Sequence, residues 1–159
     1  MKLKMQILAT IFLCLLAAGS QASYRYGTKP SVSPEVMNKN LLIAYQNWLD
    51  NYITTEGCPA GAWRVHRGAA YDFDTVSEGS GWGLLITVLL DGQKHESKKY
   101  FDGFWKYQSY YLNKRGLMSW KIDRAGRKLE DESATEADEN TAMALLYAHK
   151  RWGSASEVN

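Results

Sequence analysis

Two short stretches gather the residue types that can do chemistry. Thr75 to Leu90 reads TVSEGSGWGLLITVLL, setting the carboxylate of Glu78 beside Gly79, Gly81, Gly83 and Trp82 ahead of an apolar run. Ala134 to Asn140 reads ATEADEN, in which Glu136, Asp138 and Glu139 put three acids within four residues. Each glycine costs about 1 kcal/mol against alanine inside a helix. Three at alternate positions therefore point to a ligand that approaches the backbone closely. Glu78 and Glu136, each at a helix start beside small residues, form a pair that could face one cleft, and glycoside hydrolysis needs such carboxylates. A proton donor must hold its proton near neutral pH, which calls for burial. A helix N-terminus pulls the other way by favouring the anion, so Glu78 serves as an acid only behind aromatic walls that exclude water.

Both acidic stretches also admit a purely structural reading. Thr75-x-x-Glu78 and Thr135-x-x-Asp138 each fit a capping pattern at a helix start. A dinucleotide loop does not fit GSGWG, because Leu84 stands where a third glycine belongs and Glu78 would oppose the pyrophosphate. His66, His95 and His149 are scattered and have no cysteine partners, so no metal site is indicated. Cys58 lacks a nucleophile's context, and Trp120 in GLMSW is either core or a platform for a sugar ring.

The elements that must carry these residues read as helices joined by aromatic loops. Ser33-Pro34-Glu35 opens a helix with a cap, an N1 proline and an early acid. Met37, Leu41, Ala44, Tyr45, Trp48 and Tyr52 form its apolar stripe. Residues 54–61 are a loop and 62–75 extended or loop. The run after Ser77 is apolar on every side, as for a helix enclosed by others. Ser97 to Leu112 is a third helix, with Phe101, Phe104, Trp105, Gln108 and Tyr111 on one side. The chain turns at Gly116 and becomes extended to Ile122, and residues 123–133 form a charged, mobile loop. Thr135 to Trp152 is the fourth helix, with Thr141, Ala144, Leu145, Ala148 and Trp152 facing inward. Loops of this length between antiparallel helices give an all-α assembly of helical hairpins.

Residues 1–22 have the form of a signal peptide: Lys2 and Lys4, an apolar run to Gly19, then Ser20-Gln21-Ala22 as a cleavage site. The expected mature chain, 23–159, is secreted or periplasmic, with no membrane contact after cleavage. Losing Lys2 and Lys4 brings the 19 basic residues to 17, equal to the 17 acids. That balance argues against a nucleic-acid partner, which needs a basic face. Cys14 leaves with the signal, so Cys58 has no intrachain partner and the fold depends on its hydrophobic core. All six tryptophans and all ten tyrosines follow the cleavage site, a wealth of aromatics that suits both a core and stacking on sugars.

SEGSGWGLL (77–85), FDGFWKY (101–107), GLMSW (116–120) and SATEADENTAMALLYAHKRWG (133–153) together resemble glycoside hydrolase family 8. That family comprises bacterial endoglucanases with chitosanase, lichenase and xylanase relatives. The resemblance implies an (α/α)6 barrel and inverting hydrolysis of a β-1,4-linked polysaccharide such as a β-glucan, with chitosan or xylan as other substrates and neither metal nor cofactor. It makes Glu78 the general acid of the S-E-G-x-x-Y/W-G motif, with Trp82 where tyrosine is commoner. Glu136 stands where the A-S/T-D-A/G-D signature has the aspartate that holds and distorts the sugar, one methylene longer here. Asp138 keeps the second acid and is expected to bind substrate, as are Trp82 and Trp120, and to substitute in part for that aspartate; Thr141 replaces the usual isoleucine or methionine. Trp120 matches a tryptophan that stacks on sugar. The family's water-activating base lies far downstream of this signature, and its domain is more than twice as long. The chain is therefore read as the N-terminal part of such an enzyme, and the 159-residue product as nearly inactive. The alternative is a non-catalytic secreted fragment that binds polysaccharide.

Overall fold

The computed structural model describes residues 31–92 and 97–153. The signal peptide, Cys14 and His95 lie outside the described residues. The chain divides into two compact units between Val36 and Met37. Of the first, the described part includes the opening turn of helix α1 (Pro34–Tyr52), where Ser33 Oγ accepts from the Val36 amide at 3.3 Å, the cap that Ser33-Pro34 announces.

In the second unit, helices α2 (Ser77–Leu89), α3 (Ser97–Tyr110) and α4 (Thr135–Trp152) follow α1. Strands β1 (Ile53–Thr54) and β2 (Arg64–Val65) pair antiparallel after α1. Strands β3 (Thr75–Val76), β4 (Lys121–Ile122) and β5 (Lys128–Glu130) make a small antiparallel sheet in that order. The chain is mostly helical, and the strands only fasten loops. Residues 123–133 are not all loop, as their charge suggests, but include strand β5. Gly126 takes the left-handed φ of +84° that the tight turn needs, and Asp123 accepts from the Arg127 amide and Nε, so β5 folds back on β4.

The core lies where α2, α3 and α4 meet. Leu84, Val88, Phe101, Phe104, Ala144 and Ala148 are all buried there, with Trp63 and Trp152 packed on the margin. On α2 the buried positions include Ser77, Ser80, Gly81, Leu84, Thr87 and Val88, a helical period, while Glu78, Trp82 and Leu89 point the other way. Gly81 faces Ala137, while at the far ends Arg151 and Trp152 donate to Asp91. Helices α2 and α4 therefore run side by side in the same direction, with both N-termini at one end.

Two expectations about burial change. Along α1, Tyr45 is buried but Met37, Leu41 and Tyr52 are 43–47% exposed, because the helix packs through its later turns, where Trp48 meets Phe104 and Tyr52 meets His66. Helix α2 is not enclosed on all sides: Leu89 is 54% exposed and Leu85 and Ile86 are half-buried, since α3 and α4 cover only its inner face.

Arg64, 1% exposed, holds the connecting loops together. Its guanidinium donates to the carbonyls of Glu56 and Phe73 and to Thr75 Oγ1, all neutral acceptors. A buried charge survives only when its protons are satisfied, and backbone carbonyls do so for Arg64.

Candidate active site

Glu78 enters α2 directly from strand β3. The residue before the helix is Val76, in extended conformation, and it makes no side-chain cap. Thr75 is used elsewhere: its hydroxyl donates to the Val65 carbonyl at 2.8 Å and accepts from Arg64. The capping reading of Glu78 therefore fails. It fails in the same way at α4, where Ala134 precedes the helix without a side-chain cap and Thr135 is already helical. Neither acidic start is explained by side-chain capping.

Pairing of β3 with β4 places the tryptophan beside the acid. Val76 sits opposite Lys121, and the Ser77 amide donates to the Trp120 carbonyl at 2.9 Å. From there the Trp120 indole Nε1–H donates to Glu78 Oε1 at 3.2 Å, and the Ser77 hydroxyl donates to Oε2 at 3.3 Å. The Trp120 amide in turn donates to the Glu132 carbonyl, and the Ser119 hydroxyl to Asp131. Trp120 is 36% exposed, so it belongs to the surface and not to the core. Ser77 went unnoticed as a partner in the sequence, although it adjoins the acid.

One helical turn beyond Glu78, Trp82 lies on the same outward face and is 45% exposed. Its Nε1–H donates to Glu136 Oε1 at 3.3 Å. The parallel run of α2 and α4 thus brings Glu78, Trp82, Trp120 and Glu136 to one end, each carboxylate held by a tryptophan N–H. The positive ends of two helix dipoles converge there, which suits anionic side chains.

Asp138 is half-buried, and neither indole N–H is directed to it, since Trp120 serves Glu78 and Trp82 serves Glu136. Burial pushes its carboxyl above the usual range, opposed by a hydrogen bond from Ser133. Thr141 is buried, where its hydroxyl accepts from Gln108 at 2.9 Å.

The glycines serve packing more than passage of a ligand. A Cβ on Gly81 would lie 2.8 Å from the Ala137 carbonyl oxygen, and one on Gly83 would lie 3.0 Å from Val65 Cγ2. Both let α2 approach its neighbours. Gly79 alone has room, with Val65 Cγ1 at 3.6 Å, and it is half-buried on the outer side.

Beside Glu78 lies a charged group that sequence reasoning missed. Asp74, 5% exposed, accepts from Arg67 Nε at 2.8 Å and Nη2 at 2.6 Å, and Lys121 Nζ stands 3.6 Å away. The Arg67 guanidinium holds the Asp74 carboxyl below the usual carboxylate range. Nothing local in the sequence marks the pair, which forms because the Arg67 amide donates to the Asp74 carbonyl across a tight turn. Cys58, by contrast, is pushed up to about 11 by burial, which suits an inert thiol.

The chain as a whole is similar to known proteins. The family model for glycosyl hydrolases family 8 matches residues 18–157. Endoglucanase C of Ruminiclostridium cellulolyticum is 38% identical over 130 residues, covering 80% of this chain and 27% of that protein. Endoglucanase A of Acetivibrio thermocellus is 34% identical over 168 residues, covering 96% of this chain and 34% of that protein. The chain thus spans about a third or less of the length of these relatives. In three dimensions it superposes on the apo structure of a β-1,3-1,4-glucanase from Paenibacillus sp. X4 with a TM-score of 0.75 at 31% identity, covering 84% of this chain and 35% of that one. The fold is that of part of an (α/α)6 barrel. The chain belongs to glycosyl hydrolases family 8.

Proposed function

We propose that this chain carries the proton-donating side of an inverting β-1,4-glycanase site. The observation that carries the reading is the Trp120–Glu78 pair, an exposed indole hydrogen-bonded to a carboxyl at a helix start. A pyranose stacked on Trp120 brings its glycosidic oxygen to Glu78. Proton transfer to that oxygen lets the C–O bond break as positive charge develops on the ring, and a water activated by a base attacks from the opposite face. Glu136, fixed by Trp82, holds the sugar at the point of cleavage, and Asp138, two residues on, is a further substrate-binding acid. We assign the base to no residue of this chain. Residues 1–159 by themselves are therefore proposed to hold substrate and turn it over little.

A β-glucan is the first candidate substrate, because relatives of high similarity carry endoglucanase and β-glucanase names. Xylan is a second, in line with the relatives named for xylose release, and chitosan a third. The test measures reducing ends released from each polysaccharide, together with retention of the chain on insoluble cellulose. Retention lost in Trp120→Ala with little release fits the proposal. Robust release by residues 1–159, abolished in Glu78→Gln, would overturn the placing of the base outside these residues. Retention without any release, unchanged in Glu78→Gln, favours the second reading, a polysaccharide-binding fragment, which the exposure of Trp82 and Trp120 also supports. Export is part of the proposal: the mature protein from an expressing bacterium is expected outside the cytoplasm, starting near Ser23.

A further inference from the structure

Tyr71 is 54% exposed at the end of a short 3-10 turn (Ala69–Tyr71), yet it is not a loose surface residue. The Arg67 guanidinium lies 4.1 Å from the centre of its ring and backs one face. That guanidinium is itself fixed, since Nε and Nη2 both donate to the buried Asp74. A flat aromatic held on one side by a locked, charged plane leaves its other face to the solvent.

The backbone at this turn is strained. Asp72 and Phe73 both have φ of +53°, two successive non-glycine residues in the left-handed region. Each such residue costs of order 1 kcal/mol, and such strain gathers at ligand clamps and active sites. The Phe73 carbonyl is tied down by Arg64 at 2.6 Å, which over-determines the turn.

Contacts run unbroken from Tyr71 to the acid. Arg67 meets Asp74, Asp74 meets Lys121 at 3.6 Å, and Lys121 Nζ lies 6.0 Å from the Trp120 ring centre. Trp120 in turn donates to Glu78. Tyr71 and Trp120 are thus two exposed aromatics on either side of one charged cluster.

We propose that Tyr71 is a second sugar platform across the Arg67–Asp74–Lys121 cluster from Trp120, binding a further pyranose of the same β-linked chain through its free ring face. The inference rests on Trp120 being the first platform and Glu78 the acid. The apolar C–H face of a glucose unit covers the free face of the ring, while Arg67 backs the opposite face. Arg67 and Asp74 act as positioning residues, setting the plane of the ring.

Calorimetric titration with β-1,4-linked glucose oligosaccharides of two to six units tests this. The unsubstituted chain is expected to bind more tightly as length grows. Tyr71→Ala should weaken hexasaccharide binding roughly tenfold, the order of one aromatic stacking contact, and leave the disaccharide unchanged. Tyr71→Phe keeps the ring and should match the unsubstituted chain, and Trp120→Ala should weaken every length. If Tyr71→Ala binds all lengths normally while Trp120→Ala does not, the second platform is wrong and the first stands. An equal loss at every length in Tyr71→Ala makes the role structural and also overturns the proposal. Absence of binding by the unsubstituted chain removes both readings.

Discussion

At the residue scale, two tryptophan–glutamate pairs and one arginine–aspartate pair share the end where α2 and α4 begin. The first two orient carboxylates by single N–H donors, and the third is a nearly buried ion pair whose stability effect depends on pH. Asp74 has a lowered pKa in the folded chain, so its contribution is present above the ordinary aspartate value of about 4. It fades as pH falls through the lower folded value. Asp74→Asn is expected to reduce stability at pH 7 by on the order of 2 kcal/mol, since one partner of a largely buried pair is removed. Melting both proteins between pH 7 and pH 3 should show the gap narrowing below about pH 4. A gap that stays constant over that range would show that the carboxylate charge is not what Arg67 needs.

At the element scale, the close approach of α2 to α4 is what joins the two acidic helix starts. Gly81 sets that distance. Gly81→Ala drives a methyl against the Ala137 carbonyl, a backbone atom that cannot swing aside. A loss of about 1–3 kcal/mol is expected, as for other overpacked cores. Gly79→Ala meets only ordinary contact with Val65 and should leave stability unchanged or raise it by up to about 1 kcal/mol. Denaturant melts of the two variants separate packing from ligand access. If Gly79→Ala folds well and loses oligosaccharide binding, Gly79 is the one glycine of the three kept open for substrate. If Gly81→Ala is as stable as the parent, Gly81 does not set the distance between the helices.

At the scale of the whole molecule, apolar side chains remain open to water on several helices. Leu41 and Ile43 on α1, Leu89 on α2, and Met143, Leu146 and Tyr147 on α4 are 40–65% exposed. Such surface promotes association. Light scattering over a concentration series is expected to show growing assemblies, and Leu89→Lys with Leu146→Lys should reduce them. A monomer at every concentration with one sharp melt would contradict this. Binding assays therefore belong at the lowest usable concentration.

Much of this was legible in the sequence because it is local. The helical period of Phe101, Phe104 and Gln108, the Ser33-Pro34 start, and the motifs around Glu78 and Glu136 each depend on residues a few positions apart. The same locality misled where a pattern fitted but a distant partner claimed the side chain, as Arg64 claims Thr75 and so removes the supposed cap. The charge of residues 123–133 reads as a loop because the hydrogen bonds that make β5 come from β4. The glycines look alike in the chain, yet only packing separates Gly81, pressed on Ala137, from Gly79, which has room. By itself the sequence determined the helices and the family, and it singled out Glu78 and Glu136 as candidates. Tertiary structure alone decided that α2 and α4 run parallel and that Trp120 and Trp82 each hold a carboxylate. It also decided that Arg67 joins Asp74 beside them, because these contacts link residues far apart in the chain or folded together by a turn that no local pattern announces.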